Sequence, residues 1–371
     1  MKALLARHGG RAMRLLTAAG ENAYLSAVRS GMVTVVPLTI LGGLFMAFAY
    51  LPVPGYEERI KGWLPLLDIP VQATFGMLAV LACLAVAADL ARRLELEPLP
   101  ASVTAVVVFL MLQLKVGGEG LVMTGLGSSG LFTAILVALV SVRLQRLFND
   151  LGLVIRLPSG VPPVVQESFL SLVPFVVLVT GFWALRHLMG VDVQGAVSTA
   201  FKPLVSSLDT LPGILAYAFA VTLLWSVGVN GDNTMDAIVA PVFLQYLAEN
   251  VEALKAGHAM PHVTANGFFT TFVNVGGTGA TLALALVLVR SRDAGLRAVS
   301  RMSLPTQVFQ INEPIFFGLP VVLNPVFMVP YILNALLLTA GSYLLMDAGY
   351  IRKPFVSVPW TTPPVIGHYL M

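Results

Sequence analysis

Glu313 stands between Asn312 and Pro314 in the run Ser-Leu-Pro-Thr-Gln-Val-Phe-Gln-Ile-Asn-Glu-Pro-Ile-Phe-Phe-Gly-Leu-Pro-Val-Val-Leu-Asn-Pro (303–325), which is otherwise mostly apolar. A carboxylate there can take a proton as a general base or hold a hydroxyl by hydrogen bonds. In so apolar a chain a charge is costly unless it faces a cavity, a partner or a substrate. Broken backbone at membrane depth is likewise tolerated only where protein buries it or where it lines a polar cavity. Both features fall on the same residues. Glu313 is therefore the catalytic candidate and Asn312 a substrate-binding one. The competing readings are a helix cap or arginine partner for Glu313, and simple satisfaction of broken backbone for Asn312.

Three further polar residues could face a substrate. Asn230 lies in Trp225-Ser-Val-Gly-Val-Asn-Gly-Asp-Asn233, where glycines permit close backbone approach and amides offer paired donors and acceptors; a plain helix C-cap explains the run equally well. Trp360, in Val-Pro-Trp-Thr-Thr-Pro-Pro, presents an aromatic face beside hydroxyls and suits stacking on a sugar ring, or anchoring in the interfacial belt. Gln72 opens an apolar run and is either a polar contact or a helix start. The histidines are less informative: His258 and His262 are separated by Pro261, and no carboxylate accompanies them, so no metal site is expected. No glycine-rich phosphate loop or Ser/His/Asp arrangement is present, and no cofactor is expected. The lone cysteine, Cys83, lies in an apolar run and reads as a small core residue.

The elements that must position these residues are transmembrane. Hydrophobic residues make up 57% and charged residues 11% of the 371, and the mean hydropathy is +0.85. Soluble domains carry roughly 25% charged residues. The net charge of +3 comes from arginines at segment ends, as in cytoplasmic loops, and does not point to nucleic acid. Apolar runs of spanning length fall at 31–52, 71–91, 99–116, 129–148, 167–189, 212–230, 276–290 and 326–347.

Residues 1–30, with leucines between Lys2, Arg7, Arg11, Arg14 and Arg29, read as an amphipathic helix on the cytoplasmic surface, not a cleavable signal. Residues 31–189 form an N-terminal transmembrane half and 190–211 an amphipathic linker. Residues 212–371 form a second half with two re-entrant hairpins, 231–250 and 303–325. The fold class is thus an all-α polytopic membrane protein with five N-terminal transmembrane helices. With the N-terminus inside, the loops carrying Arg92/Arg93 and Arg143/Arg146/Arg156 are cytoplasmic, as the positive-inside rule requires.

The run SLPTQVFQINEPIFFGLPVVLNP, followed by PFVSVPWTTPP, resembles the membrane IIC components of the bacterial sugar phosphotransferase system, in the lactose/cellobiose/diacetylchitobiose branch. AVRSGM (27–32), ATFG (73–76) and TANGFFTTFVNVGGTGATLALAL (264–286) are similar to that family in the same order. The resemblance implies a homodimer in the bacterial plasma membrane, with a dimerising N-terminal half and a substrate half that moves as a rigid body. It implies that Glu313 lies near the C6 hydroxyl of a bound disaccharide, that Trp360 contacts the sugar, and that a separate phosphorylated IIB protein delivers phosphate from its phosphocysteine. The chain would then be the membrane part of a sugar phosphotransferase that needs separate IIA and IIB proteins. Two departures stand out. The family has Gly-Ile-His-Gly where this chain has Gly228-Val229-Asn230-Gly231, and its members continue into a further transmembrane helix where this sequence ends at Met371. Asparagine cannot shuttle a proton near neutral pH. A diverged facilitator or sensor with the same pocket is the alternative. An ion-coupled carrier ranks last, because Asp89 is the sole acid in a span that could serve it.

Overall fold

The computed structural model describes residues 22–50, 56–117, 120–158, 160–319 and 321–371. Most of the surface helix expected over 1–30 lies outside them. The described residues are mostly helical. Among the described residues six helices are long and apolar enough to cross a membrane: Ala23–Ala49, Leu64–Arg93, Ser128–Asp150, Val165–Leu188, Gly231–Lys255 and Pro325–Asp347. A seventh would come from Val193–Leu208 and Leu211–Ser226, which meet at 85°. Pro98–Gln113 is a shorter apolar helix.

Three expectations are corrected. Residues 231–250, read as a hairpin, run as one continuous helix, Gly231–Lys255. Its polar start is a capped first turn, not an interruption. The apolar run 276–290 contributes only the short helix Leu282–Leu288, because residues 276–280 are taken up by a turn in which Gly276, Gly277, Gly279 and Ala280 all have positive φ. The chain is also not purely helical: Leu114–Gly117 pairs antiparallel with Gly120–Met123.

The chain divides into two compact units. One holds Gln72–Pro203 together with the described residues up to Leu38. Its centre is the mutual packing of Leu78–Arg93, Pro98–Gln113 and Leu131–Asp150. Small residues such as Ala79, Ala82, Ala105 and Ala138, all buried, let these helices approach closely. Cys83 is buried among them, as a core residue should be. Gly31 meets the same core, since a Cβ there would lie 2.4 Å from a Val86 methyl.

The other unit holds Thr39–Val71 and Leu204–Met371. Here Leu211–Ser226 packs along Pro325–Asp347, and the rings of Tyr217, Phe243 and Phe269 interlock edge to face. Such contacts add roughly 0.5–1.5 kcal/mol each beyond area burial. This unit carries every candidate site residue except Gln72.

Candidate functional site

The site is built where three helices start or stop. Leu211–Ser226 ends at Trp225-Ser226, and Gly228, at φ +87°, turns the chain. Asn230 then caps the next helix, its side-chain oxygen accepting from the Asn233 amide at 2.9 Å. The run 225–233 is therefore a corner between two helices, and the Asn230 side chain satisfies an amide that the helix itself cannot. The corner touches the 303–325 segment twice. The Leu323 amide donates to the Ser226 carbonyl at 2.8 Å, and the Trp225 and Phe316 rings meet edge to face at 5.3 Å.

A buried glycine turn, Gly276-Gly277-Thr278-Gly279, fills the space beside it. A Cβ at Gly277 would fall 2.5 Å from Asn312. Side chains from the broken segment clasp the turn. Gln310 accepts from the Gly276 amide at 2.6 Å and donates to the Thr270 carbonyl at 3.1 Å. Asn312 donates to the Thr278 carbonyl at 2.8 Å. Asn334, from Pro325–Asp347, donates to the Gly279 carbonyl at 2.9 Å. Left-handed backbone leaves peptide groups without helical partners, and amide side chains supply them.

Asn312 is thus buried and occupied by backbone, whereas Glu313, the next residue, is exposed at the head of the short helix Glu313–Gly318. The carboxylate is presented outward on a rigid base. Trp360 is 59% exposed, in a turn closed by the Thr362 amide bonding to the Pro359 carbonyl at 2.9 Å. It follows a buried stretch, Phe355–Val358. Gln72 belongs to the other compact unit.

The corner holds a second carboxylate. Asp232 Oδ2 accepts from Trp225 Nε1 at 2.8 Å and from Thr278 Oγ1 at 2.5 Å. Asp89, the residue that an ion-coupled carrier would need, is instead held by Arg93 at 2.5 Å, one helical turn away.

Residues 29–335 match the family model of the phosphotransferase system EIIC proteins. This chain belongs to that family. The cellobiose-specific EIIC component of Geobacillus stearothermophilus is 34% identical, over 96% of this chain and 86% of that one. The lichenan permease IIC component of Bacillus subtilis is 33% identical, over 94% and 82%. The crystal structure of the transporter ChbC, the IIC component of the N,N'-diacetylchitobiose-specific phosphotransferase system, superposes with a TM-score of 0.89 at 30% identity, covering 96% and 89% of the two chains. This EIIC protein is accordingly a multi-pass bacterial membrane protein, the permease component of a sugar phosphotransferase system.

The EIIC chain also contains a polar cluster that its sequence hid. His262 lies between two carboxylates from distant segments: Nδ1 is 2.8 Å from Asp209 and Nε2 is 2.5 Å from Glu249. Its ring stacks on Tyr246 at 4.3 Å. Asp209 also accepts from the Val263 and Thr264 amides, both at 3.0 Å. Asn250 donates to the His262 and Pro354 carbonyls, each at 2.8 Å. His258 is exposed, and no cluster among the described residues could hold a metal ion.

Burial disfavours the imidazolium, but hydrogen bonds to Asp209 and Glu249 outweigh it and lift His262 to about 9. A raised histidine stabilises the fold fully below its ordinary value of 6.5 and loses that contribution as pH rises through about 9. His262→Gln should therefore cost on the order of 2 kcal/mol near pH 6, below the roughly 3–5 kcal/mol of a fully buried pair because the ring keeps some water. Thermal unfolding in detergent from about pH 6 to pH 10 checks this. The gap between wild type and variant should narrow through the upper half of that range. A constant gap would mean that the ring acts by packing alone.

Proposed function

We propose that this chain imports a β-linked disaccharide of the cellobiose, chitobiose or lactose type and presents its C6 hydroxyl to a phosphorylated IIB protein. In that step the phosphorus–sulfur bond of the IIB phosphocysteine breaks and a bond to the sugar oxygen forms. The hydroxyl proton passes to Glu313. The observation that carries the reading is the pairing of a buried, backbone-locked Asn312 with an exposed Glu313 at the next position. A base held this way meets substrate without having to be ordered first, which is how positioning lowers a barrier. Trp360, exposed in its turn, would stack on a sugar ring, while Asn230 would contribute hydrogen bonds.

The same reading assigns residues 31–189 to a dimerising half, 190–211 to a linker and 212–371 to a substrate half that moves in elevator fashion. Residues 303–325 are taken as a re-entrant element, and the N-terminus as cytoplasmic. Binding of a panel of β-linked disaccharides to the purified protein, followed by sugar-phosphate formation in vesicles supplied with IIA and IIB proteins, tests it. Binding of such sugars with phosphate appearing at their C6 position is expected. Failure of every β-linked disaccharide to bind would overturn it.

Asn230 favours a second reading, a facilitator or sensor that keeps the pocket without group transfer, because its relatives are expected to carry histidine there. Asn230→His separates the two. Loss of the helix cap should cost about 1 kcal/mol, which a membrane fold of this size tolerates. If group transfer operates, an imidazole that titrates near neutral pH gives the hydroxyl proton a second route, and phosphorylation should rise severalfold. A variant that binds sugar normally and shows no gain supports the facilitator.

A further inference from the structure

We propose that Asp232 is a positioning residue for the Glu313 base, acting through Thr278 and Asn312; the inference rests on the group-transfer reading above. The contacts form a closed circuit. Trp225 Nε1 and Thr278 Oγ1 both donate to one oxygen of Asp232, at 2.8 and 2.5 Å. The Thr278 carbonyl accepts from the Asn312 side chain at 2.8 Å. The Asn312 carbonyl accepts from the Phe316 amide at 2.9 Å, which opens the short helix headed by Glu313. The Phe316 ring then returns to Trp225 at 5.3 Å. The circuit ties together three chain segments, 225–232, the turn at Thr278 and 312–316; Thr278 and Asp232 are 46 residues apart, and Asn312 and Thr278 are 34 apart.

A carboxylate suits the junction for a physical reason. Indole N–H is only a donor, and the Thr278 hydroxyl also donates here, so a single oxygen must accept from two donors at once. A carboxyl oxygen has lone pairs enough to serve both. Thr278 is buried, between residues whose backbone is left-handed, and this network holds both its hydroxyl and its carbonyl. Without Asp232 the Thr278 hydroxyl and the Trp225 indole lose their acceptor, the turn loses one of its side-chain supports, and a shift of the Thr278 peptide carries with it the carbonyl that holds Asn312, the residue before Glu313. Asp232 itself does not take the sugar's proton in this scheme.

The test uses the full chain in vesicles with IIA and IIB proteins, reading sugar affinity by direct binding and turnover by sugar-phosphate formation. Asp232→Ala should lower kcat by about 10–100-fold, in line with the penalty for a misplaced reacting group, while sugar affinity changes less than about threefold. Asp232→Asn retains an oxygen acceptor and should recover kcat to within about fivefold of wild type. Thr278→Val should match Asp232→Ala, and the double variant should be no worse than either single one, as for residues acting in one chain of contacts. Thr278→Ser keeps the hydroxyl and guards against a folding defect. Three results would overturn the proposal: unchanged turnover in Asp232→Ala, a loss of affinity that accounts for the loss of turnover, or additive effects in the double variant. Absence of sugar phosphate from the wild type overturns the parent reading and takes this one with it.

Discussion

Glu313→Gln should abolish detectable sugar phosphorylation while sugar binding persists. The amide keeps the size of the carboxylate and both its hydrogen-bonding positions, so a sugar hydroxyl can still be held. What disappears is the ability to accept the hydroxyl proton as the phosphoryl group arrives. Loss of a positioned base typically slows such a step by about 10²–10⁴-fold. The side chain is exposed and makes no backbone cap, so stability should change by less than about 0.5 kcal/mol. Sugar phosphate measured in vesicles with partner proteins, beside direct binding on the same preparation, separates the two effects. Unaltered phosphate production would remove Glu313 from the chemistry.

Gly277→Ala should be nearly as damaging, though it touches no reacting group. The residue sits at φ +103°, and the added carbon would lie 2.5 Å from Asn312. An L side chain in that conformation costs about 1–3 kcal/mol, and Asn312 must move by about an ångström to restore normal contact. A displacement of that size beside a reacting centre is worth roughly 10² in rate. The comparison with Gly341, where a Cβ would meet nothing, is a direct control. Alanine there lies inside the helix Pro325–Asp347 and should be neutral or slightly stabilising. If the two alanine variants turn over sugar equally well, the close packing of the glycine turn on Asn312 has no part in the reaction.

The candidate site is partly legible in the sequence because its signals are local. A carboxylate beside proline in an apolar run marks itself, and Asn312, Glu313 and the glycine-rich corner at Asn230 all carry such local marks. The structure adds residues whose significance depends on distant partners. Gln310 looked like any polar residue until its side chain was seen against Gly276. Asp232 carries no local mark, because Thr278, which it serves, lies in another segment. His262 has no carboxylate in its own loop, and its partners lie 13 and 53 residues away. The misreading of 231–250 has a related cause. Polar residues at the start of an apolar run look like an interruption when their partners are unseen, but a cap at Asn230 and a paired Asp232 allow the helix to continue unbroken through Pro241 to Lys255.

Asn250 sets an order of events during synthesis. Its buried amide is satisfied by two carbonyls, those of His262 and Pro354, the second 104 residues further along the chain. Ribosomes extend chains at about 5–20 residues per second, so the helix Gly231–Lys255 is complete for at least several seconds before Pro354 exists. Throughout that interval one acceptor of this amide is missing. An unpaired donor in an apolar setting is held at a penalty of about 1–3 kcal/mol. The later half of this permease therefore cannot reach its final packing as its helices emerge one by one. It must wait, loosely assembled, for its last segments to arrive and close the seam.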